Sequence, residues 1–196
     1  MMSMLRASSI LIAVFTLLTG LLYPLSITAL SRLLFPAKAA GSLLWRNGKV
    51  VGSELIGQHF TSPAYFWGRP SATRPGPYDG RASASSHLGP NDPALARRVR
   101  ERMRLLADAD SGNKAAAPVD LVTASASGLD PHISVASALY QLPRVARARG
   151  VPEDLLRACV DRYTEERNLL VPGEPRVNVL LLNLALDDMR KERRGP

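Results

Sequence analysis

The sequence predicts one membrane-spanning helix followed by a small mixed α+β domain, and three features carry that prediction. An uncharged apolar run separates Arg6 from Arg32. Two short apolar runs flank Asn47-Gly48. Toward the C-terminus, apolar residues recur at helical spacing behind Asx and Pro start signals. A chain of 196 residues suits one domain with an appendage.

Residues 1–6 form a short tail and 7–31 the anchor helix. The stretch from Ala7 to Ser31 holds about 25 residues, against the ~20 needed to cross the hydrocarbon core. A cleaved signal peptide is the competing reading, and Ala37-Lys38-Ala39 resembles a cleavage site. The apolar run far exceeds the ~7–15 residues of a signal core, which favours a retained single-pass anchor. Arg32, Lys38, Arg46 and Lys49 follow the span while Arg6 precedes it, so a simple positive-inside count points the domain inward. Long domains cross largely regardless of such counts, and sidedness stays open at this level.

Residues 32–196 form the soluble domain. Asn47-Gly48 supplies the two positive φ angles of a type I′ hairpin turn. The segment 71–93 is rich in Gly, Pro, Ser and Asn and reads as a long loop. Asp92-Pro93 starts a helix reaching about Asp108, and 107–117 reads as a linker. Val119–Thr123 is expected to be a buried strand. Asp130-Pro131 is expected to cap a helix through Ile133, Ala136, Leu139 and Tyr140, with Pro143 ending that turn and starting another to Gly150. Glu153 to about Arg167 is amphipathic, and a last helix is expected to enter through Pro175 and continue to Asp187.

The net charge of +8 favours acidic partners. It concentrates at Arg97, Arg98, Arg100, Arg102 and Arg104 and in the tail from Arg190 to Arg194, which read as solvated faces. No aromatic residues interleave with them as stacking platforms, which argues against nucleic acid. The single cysteine, Cys159, lies in an apolar-periodic helix and reads as a buried, inert thiol.

Ser125, Ser127, Asp130 and His132 crowd one short stretch and invite a hydrolytic reading. A nucleophile, base and orienter are usually gathered from distant segments, and no G-x-S-x-G elbow is present. A turn and helix cap explain the same residues. His59, His87 and His132 lack metal-ligand spacing, and there is no phosphate loop of the Walker type. No metal site, no catalytic residue and no resident cofactor are expected.

Six blocks occur in order: Gly52-Ser-Glu-Leu-Ile-Gly-Gln58, Tyr65-Phe-Trp-Gly-Arg-Pro-Ser-Ala72, His87-Leu-Gly-Pro-Asn91, Asp120-Leu-Val-Thr-Ala-Ser125 running into Gly128-Leu-Asp-Pro-His-Ile-Ser134, Gln141-Leu-Pro-Arg-Val-Ala146, and Gly173-Glu-Pro-Arg-Val-Asn-Val179 with Leu182-Asn-Leu-Ala-Leu-Asp187. With one N-terminal span, nearly the whole chain resembles the C subunit of the bacterial Kdp potassium-transporting ATPase. Ala84, His87 and Ala126 depart from the family pattern, as does Leu170-Val-Pro-Gly ahead of Glu174. Alanine at 84 and 126 weakens any idea that these loops wrap phosphate.

The resemblance implies a non-catalytic accessory subunit in the bacterial inner membrane. Its partners would be a potassium-channel-like A subunit and a P-type ATPase B subunit, along with membrane lipid. The role implied is assembly, and action as a catalytic chaperone that raises the B subunit's affinity for ATP. A glutamine contacting nucleotide in that proposal maps to Gln141. The family also places the soluble domain outside the membrane, where it cannot reach cytoplasmic ATP, so any effect there is indirect. The alternative class is an independent membrane-anchored module that binds anionic lipid or a cell-envelope polymer.

Overall fold

The computed structural model describes residues 2–166 and 173–194. The chain divides into two compact units, Met1–Val51 and Gly52–Pro196.

The first unit is dominated by one apolar helix, Met2–Leu34, none of it buried. Its 33 residues make it about 50 Å long at ~1.5 Å per residue, more than enough to cross a bilayer. It comprises α1 (Met2–Leu17), a π-helical turn (Leu18–Leu22) and α2 (Tyr23–Leu34). The widened turn sits just ahead of Pro24, whose missing N–H deprives a carbonyl one turn earlier of its ordinary donor. A short α3 (Pro36–Ala39) leads to the hairpin of β1 (Leu43–Arg46) and β2 (Lys49–Ser53). Asn47 and Gly48 take φ of 50° and 73°, the type I′ geometry that the dipeptide predicts.

In the second unit, residues 54–92 carry no helix or strand. Then come α4 (Pro93–Ala109), α5 (Val119–Val122), β3 (His132–Ser134), α6 (Val135–Arg149), α7 (Glu153–Arg162), β4 (Thr164–Glu165), β5 (Arg176–Asn178) and α8 (Val179–Arg194). The strands form a small antiparallel sheet ordered β3-β5-β4. Ile133 and Thr164 both register against Val177, so the buried apolar residues of β3 and β5 meet at the sheet centre. Leu142, Val145, Leu156, Val160 and Leu182 from α6, α7 and α8 complete the core with Phe66 and Leu121.

Several start and stop signals act as read. Asp92 accepts from the Ala94 N–H at 2.7 Å and caps α4. Gly150 ends α6 at φ 64°, a left-handed conformation that costs glycine little. Cys159 is buried, and that burial pushes its thiol pKa up, so the reactive thiolate is disfavoured.

Several expectations are corrected. Val119–Val122 is a helical turn, not a strand, because tertiary partners outweigh its β-branched residues: Asp120 accepts from the Ser134 N–H and from the hydroxyls of Ser134 and Ser137, while Arg102 donates to the Leu121 carbonyl. Asp130-Pro131 does not open a helix. Residues 132–134 pair with β5, and Ser134 is the cap, accepting from Ser137 N–H. Pro143 does not interrupt α6, since the packing of Ala138, Leu142, Val145 and Ala146 outweighs the ~3 kcal/mol that an internal proline costs. The last helix does not enter at Pro175. Residues 176–178 are strand, and Asn178 caps α8 by accepting from Leu180 and Leu181 N–H. Helix α7 stops at Arg162; Arg167 lies outside the described residues.

Candidate functional site

The segment Tyr65-Phe-Trp-Gly-Arg lies outside any helix or strand, so its backbone must find partners elsewhere. Two buried carboxamides supply them. Asn183 Oδ1 accepts from the Phe66 N–H at 2.9 Å, and its Nδ2 donates to the Phe66 carbonyl at 2.9 Å. Gln141 Oε1 accepts from the Trp67 N–H at 2.8 Å, and its Nε2 donates to the Trp67 carbonyl at 3.1 Å. A carboxamide carries the same donor and acceptor as a peptide group. Asn183 on α8 and Gln141 on α6 therefore act as single-residue substitutes for adjoining strands.

Arginines close the cluster. Arg144 donates to the carbonyls of Pro63 and Tyr65 and to Gln141 Oε1, and its guanidinium lies 4.2 Å from the Trp67 ring centroid. Burial pulls its pKa down to about 10, which leaves it charged at neutral pH. Arg102 sits 5.6 Å from the same ring and donates to Leu121 and Gly68 carbonyls. It is thus a half-buried structural arginine, whereas Arg97, Arg98, Arg100 and Arg104 are exposed as the solvated-face reading expects. Arg149 stacks on Tyr65 at 4.7 Å and bonds Asp187 Oδ1 at 3.0 Å, and the Tyr65 hydroxyl donates to the same carboxylate.

Gln141, the one sequence-level site residue, is 1% exposed. Besides Trp67 and Arg144 it donates to the Ser137 carbonyl at 3.2 Å. Its polar atoms are thus all engaged within the chain. Sequence reading missed Trp67, Arg144, Asn183 and Asp187 as its companions. The signal available was polar residues on otherwise apolar helix faces: Gln141 and Arg144 beside Leu142 and Val145, and Asn183 and Asp187 beside Leu182 and Leu186.

The serine, aspartate and histidine of 125–134 serve as turn formers. Ser125 Oγ accepts from Gly128 N–H, and Ser127 Oγ accepts from Leu129 N–H. Asp130 accepts from His132 N–H and from Arg69. The His132 ring faces Asp130 at 3.6 Å and Glu165 at 3.4 Å, carboxylates rather than a nucleophile. His59, His87 and His132 do not converge, and no group of three metal-ligating side chains forms among the described residues.

Burial alone would raise the Asp130 and Glu165 carboxyls. Hydrogen bonds from His132 and Arg176, with the Arg69 charge beside Asp130, overcome it and hold both below the ordinary carboxylate range. Depressed folded-state values stabilise the fold above the unfolded pKa of about 4, and that stabilisation disappears as pH falls through the folded values. The melting temperature of the chain in detergent is therefore expected to drop between pH 5 and 3, and Asp130→Asn is expected to flatten that slope. An unchanged slope contradicts the assignment.

The model of the K+-transporting ATPase c chain family, KdpC, matches residues 5–188. The chain is 58% identical over 190 residues to the potassium-transporting ATPase KdpC subunit of Polaromonas naphthalenivorans, covering 97% of each. It is 57% identical to that of Sorangium cellulosum, over 97% of this chain and 100% of the relative. Identity to the Methylococcus capsulatus subunit is 55%, over 94% and 97%. The matched span takes in most of the apolar helix and every named residue of the Trp67 cluster, and the chain belongs to the KdpC family, the c chain of K+-transporting ATPases.

Proposed function

We propose that this chain is the non-catalytic accessory subunit of an ATP-driven potassium uptake complex in the bacterial inner membrane. The near full-length family match carries this reading. The internal engagement of Ser125, Asp130 and His132 supports it, since each of those side chains already has a structural partner. The partners are a potassium-channel-like A subunit and a P-type ATPase B subunit, with lipid around Met2–Leu34. The soluble domain stands outside the membrane, and its effect on ATP affinity is indirect. Gln141 acts in that effect by fixing the Trp67 segment rather than by touching nucleotide, a role supported by its burial and its bonds to Trp67, Ser137 and Arg144.

The test is copurification in detergent, together with labelling of a C-terminally appended cysteine in a Cys159→Ser background. Two large membrane partners are expected at fixed stoichiometry, and an impermeant thiol reagent is expected to label intact cells. Absence of partners returns the chain to a free membrane-anchored module. Labelling only after permeabilisation places the domain in the cytoplasm and restores direct ATP contact as the mechanism to pursue.

A further inference from the structure

The loop 70–88 and the helix α4 enclose a cavity of about 270 Å³ whose walls are unevenly charged. Arg74, Arg98 and Arg102 line it, and no carboxylate does. Pro70, Ala72, Leu88, Leu95 and Val122 give it an apolar floor. Arg98 and Arg102 are one helical turn apart on α4, which directs both to the same side.

The three arginines differ in how they are held. Arg102 is fixed by two carbonyls and the Trp67 ring. Arg74 and Arg98 are exposed and have no hydrogen-bond or ion-pair partner among the described residues. The Ser86 hydroxyl, also in the lining, is likewise unengaged. Meanwhile the loop itself is tied down. Ser71 Oγ donates to the Gly128 carbonyl at 2.7 Å, and Thr73 Oγ1 donates to Gly76 at 2.7 Å and accepts from Asp79 N–H. A rigid concavity thus presents clustered positive charge over an apolar floor with no counter-charge of its own. Low-dielectric walls focus such a field toward an incoming anion.

We infer that this cavity is a docking site for an acidic segment of a partner subunit, with a carboxylate meeting Arg74 and Arg98 and an adjacent apolar side chain entering the floor. The inference rests on the subunit reading above. Charge complementarity selects an acidic occupant, and the floor selects one with an apolar neighbour rather than a free inorganic anion.

The test uses the full chain expressed with its complex. Arg74→Glu/Arg98→Glu is expected to weaken copurification about tenfold or more at moderate salt, because like charges now face each other. Arg74→Lys/Arg98→Lys is expected to retain most of it. Both residues are exposed, so the melting temperature of the isolated chain should not move. A photo-crosslinking residue at position 98 is expected to attach to an acidic stretch of a partner. Normal copurification of the charge-reversed chain, or crosslinks confined to lipid or to non-acidic protein, overturns the docking site. If the parent chain itself brings down no partner, the subunit reading fails first, and the docking site with it.

Discussion

Gln141→Ala is expected to destabilise the isolated chain by about 3–5 kcal/mol, in the absence of ATP and of any partner. Truncation leaves several buried polar groups behind. Trp67 N–H and C=O each lose a partner inside the protein, and Arg144 loses the acceptor at 2.7 Å. An orphaned buried group costs about 1–3 kcal/mol, more when charged, and the cavity left by the truncated side chain adds to it. Thermal unfolding of the full chain in detergent measures this directly. Gln141→Glu should fall between parent and alanine, because a carboxylate still accepts from Trp67 and Arg144 but cannot donate to the Trp67 and Ser137 carbonyls. A Gln141→Ala chain with parental stability would show that the residue is not a structural clamp, and the nucleotide role would regain its claim on it.

Gly128→Ala is expected to cost about 2–4 kcal/mol, from strain rather than lost contacts. Gly128 has φ of 69°, and a Cβ there would lie 2.6 Å from the Ala84 carbonyl and 2.7 Å from the Thr73 methyl. The first neighbour is backbone and cannot rotate away. The Ala84 backbone is itself bound, donating to the Ser127 carbonyl at 3.0 Å, so relief would require the loop to part from the 125–128 turn. Limited proteolysis provides a second readout: cleavage within 71–93 should quicken in the variant and remain slow in the parent. An alanine variant that melts with the parent would mean the two loops are less tightly joined than these distances require.

Local signals were legible because the interaction they describe is local. Asn47-Gly48, the Asp92 cap and the Gly150 stop each concern backbone groups within a few residues. The apolar helix was legible from composition alone. Val119–Thr123 and Asp130-Pro131 misled because their outcome rests on partners across the fold, namely the Ser134 and Ser137 donors to Asp120 and the pairing of 132–134 with a strand more than forty residues later. The carboxamides of Gln141 and Asn183 stand at the far end of that scale. Their chemistry is plain in the sequence, but which backbone each one meets is decided only when α6 and α8 flank the same segment. Family resemblance pointed to Gln141 as a residue of consequence, and packing shows what holds it in place.

The Phe66–Trp67 clamp also sets an order of events during biosynthesis. Its first half is synthesised more than a hundred residues before Asn183, which closes the Phe66 side. A growing chain therefore meets the Trp67 partner with α6 but leaves the Phe66 N–H and carbonyl without theirs until α8 has emerged. Chains cut short before residue 183 lack the carboxamide that completes this segment. Proteolysis near Phe66 is therefore expected to be faster in a product that ends before residue 183 than in the full chain.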